Sequence, residues 1–217
     1  MIEMLMYCEG VTDFEALCAF IMRATPSSKF IITRKTRPEL LREIKVLSNR
    51  RGIHKQITYI DRLAMASKKI KCKCIAYHQD ADHDYKVVYE RIKNCLSKYD
   101  GILDCLAIVP KEMIESWLLA DEKAYILVFG KAPDKPRLPK KAEMIWGEKN
   151  DPGSNYPKHV MKRVLEQYNR SPSRDLYAEI AENCSIDTMS SRCPISFGQF
   201  LLDLKQLLQS ENYIGAL

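Results

Sequence analysis

Asp80, Asp82 and Asp84 occupy every second position of the stretch Ile75–Asp84, IAYHQDADHD, just after a short run of β-forming residues. Like charges this close repel one another unless a counter-ion intervenes. Three carboxylates converging on one point suit a hard, oxygen-preferring cation such as Mg²⁺ or Mn²⁺. The bland alternative is a turn, where aspartate is common and simply solvated. The triplet gains weight if a further carboxylate reaches the same place. Two stretches offer one: Glu9 after the apolar run Met1–Cys8, and the pair Glu112 and Glu115 in Pro110–Asp121, PKEMIESWLLAD.

The elements around these residues determine whether they meet. Met1–Cys8 reads as a buried strand, closed by Glu9 and by Gly10, which suits a tight turn needing unusual φ/ψ. Thr12 and Glu15 have capping-box spacing, and Phe14, Leu17, Cys18 and Ile21 follow at helical spacing. Lys29–Lys35 is a second strand. Pro38 opens a helix with Leu40, Leu41, Ile44 and Leu47 as its apolar stripe, ending at Gly52. A further helix covers His54–Lys69. Lys71–His78 is the strand that delivers the aspartates. Tyr85–Tyr99 is helical, with Val87, Val88, Ile92 and Cys95 on one side, and Asp100 and Gly101 turn the chain into a strand over Ile102–Val109.

This alternation predicts an α/β fold with a mostly parallel, Rossmann-like sheet flanked by helices. Glu9 and Asp80 then lie just past the carboxyl ends of strands, on one edge of the sheet, where α/β proteins place ligands. After Pro110 a helix is expected, with Glu112 and Glu115 on one face. Favourable interaction with the helix dipole explains Glu112 adequately. Glu115 is the better candidate to reach an ion held by Asp80 and Asp82. Trp117 reads as core.

The totals allow one domain with an appendage: 217 residues, 46% hydrophobic. We divide the chain into 1–130, the catalytic α/β part, and 131–217, a helical appendage packed on it. The net charge of +6 is compatible with a polyanionic partner. Arg34, Lys35, Arg37 and Lys111 are the candidate nucleic-acid contacts. Arg42, Lys45, Arg50, Arg51 and Lys55 add to a basic helical face, for which solvation is the ordinary explanation. The eight cysteines form no C-x-x-C pair, which indicates reduced core thiols in the cytoplasm and not a zinc site. The first apolar run is too short for a signal peptide or a membrane span. Lys131–Gly153, rich in Pro, Lys and Gly, reads as a long loop. Tyr156–Tyr168, Arg174–Cys184 and Pro194–Leu208 read as helices, the last with Phe197, Phe200, Leu201, Leu204 and Leu207 as an amphipathic stripe.

Glu9 and Gly10 after a first strand, with Asp80 and Asp82 after a later one, resemble the TOPRIM domain. Asp13 also fits an acidic position of that motif. The domain is shared by topoisomerases, DnaG-type primases, a small ribosomal-RNA-maturing ribonuclease and OLD-family nucleases. The EGVTD stretch, the ESWLLAD segment and the CPISF stretch near the end look like a small bacterial TOPRIM-like family linked with phage-defence or toxin-like loci. The resemblance covers about Met1–Asp121. It implies a metal site made of Glu9, Asp80 and Asp82, to which the reading of the residues adds Glu115, and Asp84 as an alternate ligand or a group just behind the ligands. No active-site-tyrosine domain, primase extension or G-x-x-x-x-G-K-[ST] loop is seen, so a topoisomerase or full primase is not expected, and an ATPase would be a separate partner or defence-system subunit.

The expected chemistry is Mg²⁺- or Mn²⁺-dependent hydrolysis of RNA or DNA phosphodiesters. Glu9 is a further ligand or the base that activates water. Two other readings remain at this point. One is a phosphotransferase or glycosyltransferase using the Asp-x-Asp motif. The other is a nucleic-acid-binding or regulatory subunit without catalysis.

Overall fold

The protein was analysed as a computed structural model, which describes residues 1–27, 29–42, 58–134 and 137–209. Ile44, Leu47 and Gly52 of the expected second helix lie outside the described residues, as do Lys45, Arg50, Arg51 and Lys55. So does the start of the expected His54–Lys69 helix.

A four-stranded, all-parallel sheet forms the centre, in the order β2-β1-β3-β4. The strands are β1 (Ile2–Tyr7), β2 (Phe30–Lys35), β3 (Cys74–His78) and β4 (Asp104–Ile108). Side chains alternate between faces at every residue of a strand. Ile2, Met4, Met6, Cys8, Cys74, Ala76, Leu106 and Ile108 thus bury one face, and Leu5, Tyr7, Ile75, Tyr77 and Ala107 bury the other. Both faces are apolar because helices cover both.

The second face is covered by α2 (Arg37–Arg42), α3 (Tyr59–Ile70) and α4 (Tyr85–Leu96). Thr58 and Asp61 cap α3 reciprocally, and the Tyr99 hydroxyl donates to the free Asp61 oxygen at 2.7 Å. The first face packs on α1 (Val11–Ala24), the short α5 (Ile114–Leu118) and α6 (Glu122–Phe129), together with α7 (Pro157–Glu166), α8 (Arg174–Asn183), α9 (Ile186–Arg192) and α10 (Ser196–Leu208). Helix α8 lies along α1, and α10 lies against β4. Residues beyond 131 therefore share one apolar core with the sheet. Among the described residues, no helix is long and apolar enough to cross a membrane.

Several local expectations need correction. Helix α1 begins at Val11, not Thr12, and Asp13 caps it by accepting from the Gly10 N–H at 3.1 Å. Glu15 plays no part in the cap. Gly10 sits in ordinary extended backbone, φ −92° and ψ 152°. It is required for space, because a Cβ there would stand 2.5 Å from Asp13 Oδ2. Glu112 precedes α5, so it shares no helix face with Glu115. Helices α6 and α9 were not expected at all. The long loop holds a 3₁₀ turn at Ala142–Met144, and the Glu143 carboxylate is buried beneath it.

Trp117 is core, as its Leu118 and Leu119 neighbours suggest. Its indole packs edge-on against Phe197 at 5.0 Å and Phe20 at 6.0 Å. Its Nε1–H donates to Ser196 Oγ, and that hydroxyl donates in turn to Glu143. Glu143 also accepts the backbone N–H groups of Ile195 and Ser196, so a loop carboxylate fixes the start of α10.

Candidate active site at the carboxyl edge of the sheet

Strand order places the site. The chain runs from β1 outward to β2, then returns to add β3 on the other side of β1. The loops leaving β1 and β3 therefore diverge, opening a crevice between their carboxyl ends. Tyr7 is in register with Tyr77, so Cys8 and Glu9 emerge beside His78, Gln79 and Asp80. Glu9, Asp80 and Asp82 line one cavity of about 380 Å³, together with Trp146, Tyr156 and Lys158.

The aspartate loop is pinned by backbone and by strain. Its N–H groups at Gln79, Ala81 and Asp82 bond to the carbonyls of Ile108, Pro110 and Glu112, which prolongs the pairing with β4. Asp82 and His83 then take positive φ, 45° and 83°. Aspartate and histidine tolerate this region better than most residues, at a cost of order 1 kcal/mol. Glu112 holds the strained turn from below: its Oε2 lies 2.7 Å from His83 Nδ1. Burial raises the Glu112 pKa, and the bond to His83 opposes the rise. The other edge of the His83 ring meets Trp146, with ring centres 4.5 Å apart.

Behind the cavity lies a set of buried polar atoms without hydrogen-bond partners. His78 is fully buried, and its Nε2 lies 3.3 Å from Asp80 Oδ1. That is an ion-pair distance without hydrogen-bond alignment, so the imidazole and Asp80 Oδ1 meet as charges and make no aligned hydrogen bond among the described residues. Burial opposes a charge on His78, but Asp80 and Cys8 outweigh it and raise the imidazole pKa. Glu115 is 3% exposed. Its Oε1 accepts from the Tyr177 hydroxyl at 3.2 Å, and its Oε2 has no partner. Burial, aided by the charges of Asp80 and Asp13, pushes its pKa up to about 7, against the pull of Lys158. Desolvation works against the Lys158 ammonium, yet Glu115 and Asp80 hold its pKa above the usual lysine value.

Not every expected residue joins the site. Asp84 starts α4, is exposed, and does not line the cavity. Glu115 is the second residue of α5, which starts at Ile114 and not directly after Pro110. It stands behind the cavity wall as a buried group. Arg34, Lys35 and Arg37 sit at the same sheet edge as Glu9, because Tyr7 is in register with Lys35. Lys111 follows β4, and its Nζ approaches Met144 Sδ at 2.7 Å. His78, Lys158, Tyr156 and Trp146 escaped the sequence reading. His78 had a signal, since it continues the alternation of Asp80 and Asp82 backward by two residues. Lys158 had none, because it is one lysine among many and comes from a helix about 80 residues away.

Among the described residues, no three His, Cys, Asp or Glu side chains are already grouped as a metal-holding set. Comparison with protein-family models, with curated proteins and with solved structures finds no match to this chain.

Proposed function

We propose that this crevice is the active site of a divalent-metal-dependent hydrolase acting on the phosphodiester bonds of nucleic acid, a TOPRIM-like nuclease. One observation carries the reading: Glu9, Asp80 and Asp82 line a single cavity at the point where the strand order reverses. The donor set fits Mg²⁺ or Mn²⁺, since it consists of carboxylate oxygens, and Glu115 Oε2 is buried without a partner among the described residues. Such oxygens are costly to bury unless a cation or donor satisfies them.

Asp80 and Asp82 would hold the ion, with Glu115 buried behind them. The chemistry such an ion would supply is polarisation of the phosphodiester and neutralisation of charge on the leaving oxygen. Glu9, exposed and lining the same cavity, would be a further ligand or would take a proton from the attacking water. Lys158, also lining it, would face a phosphate oxygen. The strained Asp82 turn, held by Glu112 and His83, keeps the carboxylate at the cavity mouth.

The partners that go with this reading are nucleic acid and, for gating, a separate ATPase or other defence-system subunit. The eight free cysteines, mostly buried, accord with the cytoplasm. Lys158 favours a second reading, a non-catalytic nucleic-acid-binding subunit, because the protein already supplies one cation to these acids. The test is hydrolysis of labelled RNA and DNA in Mg²⁺ or Mn²⁺ by wild type, Glu9→Ala and Asp82→Asn. Cleavage by wild type alone, with all three melting alike, supports the hydrolase. Failure of wild type to cut anything, alone or with its neighbouring gene products, transfers the case to the binding subunit.

A further inference from the structure

Glu9 lines a second cavity, of about 580 Å³, on the α3 and α4 side of the sheet. The acidic crevice and this cavity thus have Glu9 in common and open at the same carboxyl edge of the sheet. The second cavity differs in chemistry. Its walls include Tyr59, Arg62, Tyr77, Gln79 and Arg91, and Glu9 is the only acid among its described lining residues.

Three tyrosines form a stack there. Tyr7 lies between Tyr77 and Tyr59, with ring centres 5.1 and 5.5 Å away and planes nearly parallel. The guanidinium groups of Arg37 and Arg62 stand 5.7 and 5.8 Å from the centre of the Tyr59 ring. Arg62 retains a donor: its Nε is buried and has no acceptor among the described residues. Among the described residues the exposed Arg91 makes one hydrogen bond, to Gln79 Oε1 at 3.0 Å, which leaves most of its donors open to a ligand there.

We infer that this cavity binds the unpaired flank of a nucleic-acid strand whose scissile phosphate lies in the acidic crevice. The inference rests on the hydrolase reading for where the strand goes. Arginine forks match phosphate oxygens, and the half-buried Tyr59 ring, backed by the buried Tyr7 and Tyr77 and flanked by guanidinium groups, matches the face of a base. Base faces are open only in single strands, loops and ends, so the substrate class is single-stranded nucleic acid or an unpaired end. A volume of several hundred Å³ is of the size that takes an organic ligand the size of a nucleotide.

The test measures fluorescence anisotropy of a labelled pyrimidine 12-mer, as DNA and as RNA, and of a blunt duplex of the same length. The full chain is used in EDTA, so nothing is cut. Wild type should bind the single strand more tightly than the duplex. Substituting Arg91, whose only hydrogen bond among the described residues is to Gln79, as Arg91→Ala should flatten the dependence of log affinity on log salt by about 0.7 per lost phosphate contact. Tyr59→Leu should weaken binding roughly tenfold or more. A duplex preference, or both variants binding as wild type does, overturns the inference, and Arg91→Ala decides the matter if Tyr59→Leu fails to fold. The two readings fail separately. Single-strand binding that depends on Arg91, without cleavage in Mn²⁺, supports the binding cavity and removes the hydrolase. Cleavage with unchanged KM in Arg91→Ala and Tyr59→Leu removes the binding cavity and keeps the hydrolase.

Discussion

Asp82 combines a backbone constraint with the proposed chemistry, and the two separate by substitution. At φ 45° the residue is strained for most side chains. Asp82→Gly should therefore leave stability within about 1 kcal/mol of wild type, as relief of strain offsets the entropy of glycine. Asp82→Val should cost about 1–2 kcal/mol more than that. Denaturant midpoints decide this, and both variants should be inactive. Gly10 offers the opposite case. Gly10→Ala places a Cβ against the Asp13 carboxylate, 2.5 Å away, and should cost about 1–3 kcal/mol by displacing the cap of α1. An unchanged melting temperature would refute that account. Glu9, Asp80 and Asp82 were legible because acids after apolar runs stand out. The close contact of Gly10 with Asp13 was not, since a glycine after a strand looks the same whether it provides φ freedom or space. Glu112 was misjudged for a related reason. Its partner His83 comes from another loop, and only the folded chain puts the two 2.7 Å apart.

Elements built from strong periodicity were legible: the four strands, α1, α4, α8 and α10 fall within a few residues of where pattern places them. The short α5 and α9 were missed or overextended because one or two turns carry no period to read. Helix α3 shows how a cap adds to an element's stability. Asp61 accepts from Thr58 N at 2.8 Å, Thr58 Oγ1 at 2.9 Å and the Tyr99 hydroxyl at 2.7 Å. Burial alone would raise its pKa, but these bonds outweigh burial and lower it. A carboxylate whose folded pKa is lowered stabilises the fold above its unfolded value and loses that contribution as pH falls through the folded one. Asp61→Asn should therefore cost about 1 kcal/mol at neutral pH. The gap to wild type should shrink as pH falls below about 4, the ordinary aspartate range. Parallel melting curves from pH 7 to 3 would show this, and a gap that widened in acid would contradict it.

At the scale of the whole molecule, the metal prediction is thermodynamic. An ion that binds only the native crevice stabilises the fold by mass action. Millimolar Mg²⁺ or Mn²⁺ should raise the melting temperature of wild type and leave Asp80→Asn unmoved. A wild type indifferent to both ions would count against the site. The interior predicts a larger effect elsewhere. Ser196→Ala removes the hydroxyl between the Trp117 indole and Glu143 and should cost about 1–3 kcal/mol by leaving buried groups underbonded. The pairing of α8 with α1 has a consequence for how the chain is made. Arg23 of α1 donates to the Cys184 carbonyl, 161 residues later. The face of the sheet that carries α1 thus stays only partly covered on the ribosome until α8 and α10 have emerged, and contacts so distant in sequence form slowly. A nascent chain released near residue 130 should be held by chaperones or digested, although it carries all four described strands and Glu9, Asp80 and Asp82.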